Sequence, residues 1–237
     1  MVETKYKGFI INKVNYKDND AIFNVVTADN TITFKAKGIN KITSKNASSC
    51  NYFMVSEFIV SSKTETSIKT LKSSNLIKMY KKPYEDILVS SSYLFICSIL
   101  NQLSEHINGY NVAIECFDML ENEVYPIDVL NYFLKILINT LGYQPNLKGC
   151  INCNTTNNLI SFDFESGGFI CKNCFNSTMH EKYTAGFLKD LYNFLKSDEV
   201  VGYDNIRSLQ IFKMYVSFLK NVVNINVESS EFIYKCL

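Results

Sequence analysis

Two hydrophobic rhythms divide the chain. In its first part apolar residues come in short runs, Gly8 to Tyr16 and Ala21 to Thr27, rich in Ile, Val and Phe and parted by the polar turn Lys17-Asp18-Asn19-Asp20. Ala28-Asp29-Asn30 makes a second turn, so Ala21 to Thr27 and Thr31 to Lys37 read as a hairpin. In its second arm Ile32, Phe34 and Ala36 face one way and Thr31, Thr33, Lys35 and Lys37 the other, because strand side chains alternate. After Gly38, the run from Ile39 to Ser49 has neither period and is dominated by turn formers and lysine; it reads as a flexible basic loop. Tyr52 to Ser61 resumes as a strand, and Ser67 to Leu76 is a weaker fifth. Five short strands without a strong helix among them predict a small barrel such as an OB-fold, whose closure leaves no exposed edge.

From Lys81-Lys82-Pro83 the rhythm changes, which places a boundary between residues 1–82 and 83–237. Between Tyr84 and Gly109, Ile87, Leu88, Leu94, Phe95, Ile99 and Leu103 predict one long, mostly buried helix, with His106 near its end as a capping or surface residue. A second helix is expected over about Asn111 to Glu121, with Val112, Cys116, Phe117 and Leu120 inward. A third starts at Pro126 and carries Ile127, Leu130, Leu134, Leu137, Ile138 and Leu141 before Gly142 stops it. Thr184 caps a helix to about Lys196; Asn205 to Val223 forms another through Ile206, Leu209, Ile211, Phe212, Tyr215, Phe218 and Leu219; the segment to Leu237 is poorly specified. The expected architecture is α+β and multidomain: a five-stranded OB-fold barrel at 1–82, then an all-helical domain at 83–237.

That helical domain holds the most specific chemistry. Cys150-Ile151-Asn152-Cys153 is followed, seventeen residues on, by Cys171-Lys172-Asn173-Cys174. Thiolates are soft ligands, and two such pairs set four sulfurs around one tetrahedral ion. The expectation is a structural zinc motif at 147–176, holding one Zn2+ on Cys150, Cys153, Cys171 and Cys174 with both knuckles in loops. Four protein ligands leave no open position for catalysis. Redox chemistry at a single Cys-x-x-Cys competes with this, but that motif opens a helix after a strand, and here a second pair matches the first. His180 would serve as a ligand only if a cysteine were absent. Cys50, Cys97, Cys116 and Cys236 are scattered singly, and Cys97 and Cys116 fall in apolar helical pattern as buried free thiols. Phosphate-binding, metalloprotease and nucleophile-elbow motifs are missing, so no enzymatic activity is expected. The 237 residues are 47% apolar, enough for a sizeable core, and contain neither a signal-like start nor an apolar run of membrane length. A cytosolic protein with no membrane partner is expected.

Charge sharpens the picture. Residues 1–82 hold 14 Lys and 6 acidic residues, net +8, and residues 83–237 hold 10 basic and 17 acidic, net −7, although the whole is only +1. A basic barrel on an acidic remainder points to a polyanion. Lys35, Lys37, Lys41 and Lys45 fall on one strand and the loop leaving it, where they could track phosphates, while Tyr16, Phe34 and Tyr52 are candidate base-stacking aromatics. Parity puts Phe34 opposite the lysines, in the core. The competing reading is a zinc-stabilised adaptor for proteins, its lysines merely solvated.

The order of basic barrel, helical region and embedded zinc motif resembles the bacterial recombination-mediator family RecO. The resemblance spans nearly the whole chain and is most specific in Gly142-Tyr143, Pro145, Leu147, Cys150 and Cys153, followed by Phe162, Gly167-Gly168, Cys171 and Cys174; at the N-terminus it rests on Gly8, Tyr16, Asp20, Thr27, Lys35-Ala36-Lys37-Gly38, Lys41 and Lys45. The family's basic segment is rich in arginine, whereas this chain has one arginine, Arg207, and uses lysine, a point charge without the bidentate fork. The resemblance implies a DNA repair protein of the RecF pathway, cytoplasmic and nucleoid-associated. Such a protein binds single- and double-stranded DNA, anneals complementary strands coated by single-strand-binding protein (SSB) and, with RecR, helps load the RecA recombinase. It also implies DNA and RecR contacts on the OB-fold and a site for the acidic C-terminal tail of SSB in the helical domain. Lys189, Lys196, Arg207, Lys213 and Lys220 are the basic candidates there, with Arg207 and Lys213 named for partner binding.

Overall fold

Residues 2–62, 64, 68–103 and 107–237 are described by a computed structural model, in which the strands outrun their apolar cores. β1 (Val2–Tyr16), β2 (Asp20–Thr27), β3 (Thr31–Ala36), β4 (Met54–Ser62) and β5 (Lys69–Met79) pair in the order β1-β2-β3-β5-β4 and close into a barrel. The charged start of the chain, which has no strand signal of its own, becomes half of β1 because β4 pairs with it, Lys5 opposite Ile59 and Tyr6 opposite Phe58. Closure requires β1 to pass from β4 to β2, and it does so at Gly8, which pairs with both Ser56 and Thr27. A Cβ on Gly8 would lie 2.3 Å from the Val26 carbonyl oxygen, so only glycine permits that approach. The β2–β3 hairpin has the expected register, Phe23 opposite Phe34. Phe23, Phe34 and Phe58 are fully buried and fill the barrel with rings 5.3–5.6 Å apart. The expected start of the fifth strand at Ser67 lies outside the described residues.

The segment expected to be a flexible loop is a chain of hydrogen-bonded turns. Lys41 N donates to Gly38 O, Ser44 N to Lys41 O, and a 3-10 turn follows at Ala47–Ser49. Ile39, 3% exposed, joins the barrel core, and Asn46 Oδ1 accepts from Ser74 N on β5. Lone apolar anchors and side-chain acceptors do this without any period that a sequence would show.

The chain divides into two units. The first comprises 1–123 and 228–237, and in it the barrel carries α1 (Ile87–Leu103) and α2 (Tyr110–Glu121). Phe9 meets Phe117 edge-on at 5.1 Å, and the Cys97 thiol approaches the Ile10 carbonyl. The helix expected from Tyr84 therefore starts later and is seated differently. Of the residues expected inward, Phe95, Ile99 and Leu103 are buried, together with Val89, Tyr93, Ile96 and Leu100, whereas Ile87 and Leu94 are exposed, because apolar character alone does not choose which stripe of a helix is covered. The expectation for His106 lies outside the described residues. Acidic side chains of α2 anchor the barrel's exit: Glu121 accepts from the Lys81 and Lys82 amides, and Asp118 from Tyr80 Oη at 2.8 Å. The poorly specified C-terminus is a helix, α6 (Ser230–Cys236), whose Ile233 is fully buried and whose Cys236 reaches Ser91 of α1.

The second unit, 124–227, is not all-helical. α3 (Pro126–Thr140), α4 (Ala185–Lys196) and α5 (Asn205–Asn221) accompany a three-stranded sheet of β6 (Asn146–Cys150), β7 (Leu159–Asp163) and β8 (Gly168–Cys171), ordered β6-β8-β7. Strands of four and five residues are too short for a legible alternation. Thr184 caps α4 as expected, accepting from Phe187 N. On α5, Ile211, Phe212, Tyr215, Phe218 and Leu219 are buried, but Ile206 is 80% exposed in the first turn. No described helix is long and apolar enough to cross a membrane.

Candidate functional site

Each cysteine pair begins on a strand end rather than in a loop. Cys150 closes β6 and Cys171 closes β8, and the second cysteine of each pair lies in the turn that follows. The parallel pairing of β6 with β8 brings the two ends side by side. All four sulfurs lie within 4.8 Å of one another, with Cys153 and Cys171 3.6 Å apart. Metal–sulfur bonds of about 2.3 Å would set the edges of a regular tetrahedron at about 3.8 Å, so the cluster could hold one metal ion with small adjustments. His180 takes no part: its Nδ1 accepts from Asn176 N.

Charge inside the cluster is uneven. Burial pushes the Cys150 thiol up, but hydrogen bonds from the backbone amides of Cys171, Asn152 and Cys153 outweigh it and lower the thiol to about 6. Hydrogen bonding to Cys153 and Cys171 works the opposite way on Cys174, pushing it up to about 12. Four adjacent sulfurs cannot all ionise without a cation among them, and a divalent metal would supply it.

The first turn depends on Gly149. A Cβ there would stand 2.9 Å from the Thr155 carbonyl oxygen and 3.0 Å from that of Asn154, where the chain folds back and Cys150 N donates to Thr155 O. Gly149→Ala should therefore cost about 1–3 kcal/mol, the usual price of overpacking. Thermal unfolding measures it, and a wild-type midpoint would mean that the turn gives way freely.

The lysines sort into two kinds. Lys37, Lys41 and Lys45 are exposed, and none of them is in an ion pair among the described residues. Lys35 is engaged: its ammonium lies 3.0 Å from Asp20 Oδ2 and 4.2 Å from the centre of the Tyr16 ring. Asp20 Oδ1 also accepts from Gly38 N at 2.8 Å, Asn40 N donates to Asn19 O, and Asn40 Nδ2 donates to Asn15 Oδ1. The β1–β2 turn and the basic segment leaving β3 thus form one surface. The Gly38 amide and the Lys35 ammonium hold the Asp20 carboxyl below its usual range. From the sequence Asp20 entered only through the family resemblance, with no role assigned, and the acceptor role comes from the structure. Phe34 is fully buried, as parity required.

Neither cation named for partner binding is free. Arg207 lies 2.9 Å from Asp190 and 3.5 Å from Asp204. Lys213 lines a cleft of about 300 Å³ with Asp163, Glu165 and Glu181, over Phe164 and Phe218. A second groove, of about 420 Å³, has an apolar floor that includes Leu159, Phe169, Leu188 and Tyr192, with Lys148 and Lys189 also lining it.

Comparison with known proteins adds a further observation. Residues 1–80 match the profile of the family described as "Recombination protein O N terminal", and residues 85–224 match "Recombination protein O C terminal". The chain is 29% identical over 228 residues to a protein of Mesoplasma florum named DNA repair protein RecO, an alignment covering 92% of this chain and 81% of that one. Proteins of the same name from Dehalococcoides mccartyi and Listeria monocytogenes are 26% and 22% identical, over 94% and 98% of this chain and 88% and 86% of theirs.

Proposed function

The chain belongs to the RecO family, and from that premise we propose that it is a DNA repair and recombination mediator that works by binding rather than by bond-making. The exposed cluster Lys37, Lys41 and Lys45 on the barrel carries this reading. The barrel acts as an OB-fold at 1–82 and binds single- and double-stranded DNA through phosphate. Annealing SSB-coated strands needs two polyanions brought together, and mobile lysines lower their repulsion while leaving the bases free to pair. RecR binds the same domain and shares in loading RecA. The cysteine cluster holds one structural Zn2+ and supports the fold rather than the chemistry.

For the SSB tail, an acidic peptide, the groove lined by Lys148 and Lys189 suits better than the two cations expected from the sequence. Arg207 is already matched by carboxylates, and Lys213 sits among acidic side chains. Both would have to be released from acidic surroundings before meeting an acidic partner.

Titration of a labelled single-stranded oligonucleotide at graded salt tests the function. Three lysine–phosphate contacts alone predict about a 20-fold loss of affinity between about 50 and 200 mM salt. Absence of binding across that range would overturn DNA binding in favour of a protein adaptor with solvated lysines.

A further inference from the structure

Three aromatics are in position to meet DNA by sequence, and their surroundings separate them. Phe34 is fully buried, and Tyr52 packs against the barrel core. Tyr16, the last residue of β1, is 42% exposed at the hairpin tip where it pairs with Asp20. Two ammonium groups lie over its ring, Lys35 at 4.2 Å and Lys17 at 5.5 Å from the centre. Lys35 is held there by Asp20, which is itself fixed by the Gly38 amide.

The part of the ring left exposed beside these cations suits a base attached to a phosphate. The tie from Asp20 to Gly38 matters as well. It fixes the tip that bears Tyr16 against the start of the segment bearing Lys37 and Lys41, so a strand whose base lies on the ring runs onto the lysines.

Resting on the DNA-binding reading, we propose that Tyr16 is the base-stacking platform of this surface, and that Lys35, clamped by Asp20, is a positioning residue for the ring rather than a phosphate contact. Phosphate is met by Lys17, Lys37, Lys41 and Lys45. Stacking tolerates any base, as a strand-annealing surface requires, and it discriminates against paired duplex, whose bases are not available to the ring.

The experiment titrates the full chain and its variants with a single-stranded oligonucleotide and with duplex of equal length. Tyr16→Ala should weaken single-strand binding about 5- to 160-fold, the range for loss of one base–aromatic stack, and leave duplex binding and the salt slope within error of wild type. Tyr16→Phe should bind as wild type, because the ring alone is needed. Lys35→Gln should weaken single-strand binding without lowering the salt slope; a slope lower by about 0.7 would make Lys35 a phosphate contact and overturn its positioning role. Equal losses on both DNA forms for Tyr16→Ala, or no loss on either, would overturn the platform. Failure of the wild-type chain to bind either DNA would instead overturn the reading on which the proposal rests.

Discussion

Cys150→Ser should abolish metal binding at the proposed four-sulfur site and unfold the second unit. The serine oxygen is a poor replacement for a thiolate, and Cys150 is the fully buried sulfur toward which three backbone amides point. Structural zinc contributes about 10–16 kcal/mol of apparent binding free energy to small zinc domains, comparable with the whole stability of an ordinary fold. The expected result is loss of stoichiometric zinc, a melting midpoint lower by on the order of 10 °C or more for the second unit, and protease cleavage within residues 141–183. Metal analysis, calorimetry and limited proteolysis read these out; a variant that kept both its metal and its midpoint would refute the four-sulfur site. Acid should mimic the mutation, since each ligand must lose a proton to bind, and affinity therefore falls as pH falls.

The triple variant Lys37→Glu, Lys41→Glu, Lys45→Glu should nearly abolish binding of either DNA form. Each substitution removes a cation and adds an anion beside phosphate, on side chains with no ion pair among the described residues, so folding stability should change little. Affinity at low salt should fall by at least about 100-fold, and the slope of log affinity against log salt on single strands should flatten by about 2. Unchanged circular dichroism with lost binding would separate this from misfolding. A triple variant that bound like wild type would remove these lysines from the interface.

Reading the sequence recovered what local pattern can encode. The β2–β3 hairpin, the inward Phe34, the Thr184 cap and the cysteine spacing all rest on interactions within a few residues, and the structure has each of them. It failed where a distant partner decides. The first residues of β1 are strand only because β4 lies beside them. β6 and β8 are too short to announce themselves, and they place the first cysteine of each pair on a strand end. Lys35 looked like the other lysines because alternation reports which face a side chain takes, not whether a carboxylate waits there. The exposed Ile87 and Ile206 show the same limit, since apolar character alone does not choose which stripe of a helix is covered.

The return of α6 to α1 has a consequence for how the protein is made. Ser91 and Cys236 meet across 145 positions of chain, and the second unit is strung between the two pieces of the first. During ribosomal synthesis the barrel and its first helices can form early, yet their last cover leaves the exit tunnel only after the second unit has emerged. The closing entropy of so long a connection grows only logarithmically, but it is smaller once the inserted unit has condensed and shortened the span. A nascent chain that folds its second unit slowly would therefore leave the α1 surface uncovered for longer, so the closing of the N-terminal unit waits on the unit inserted in it.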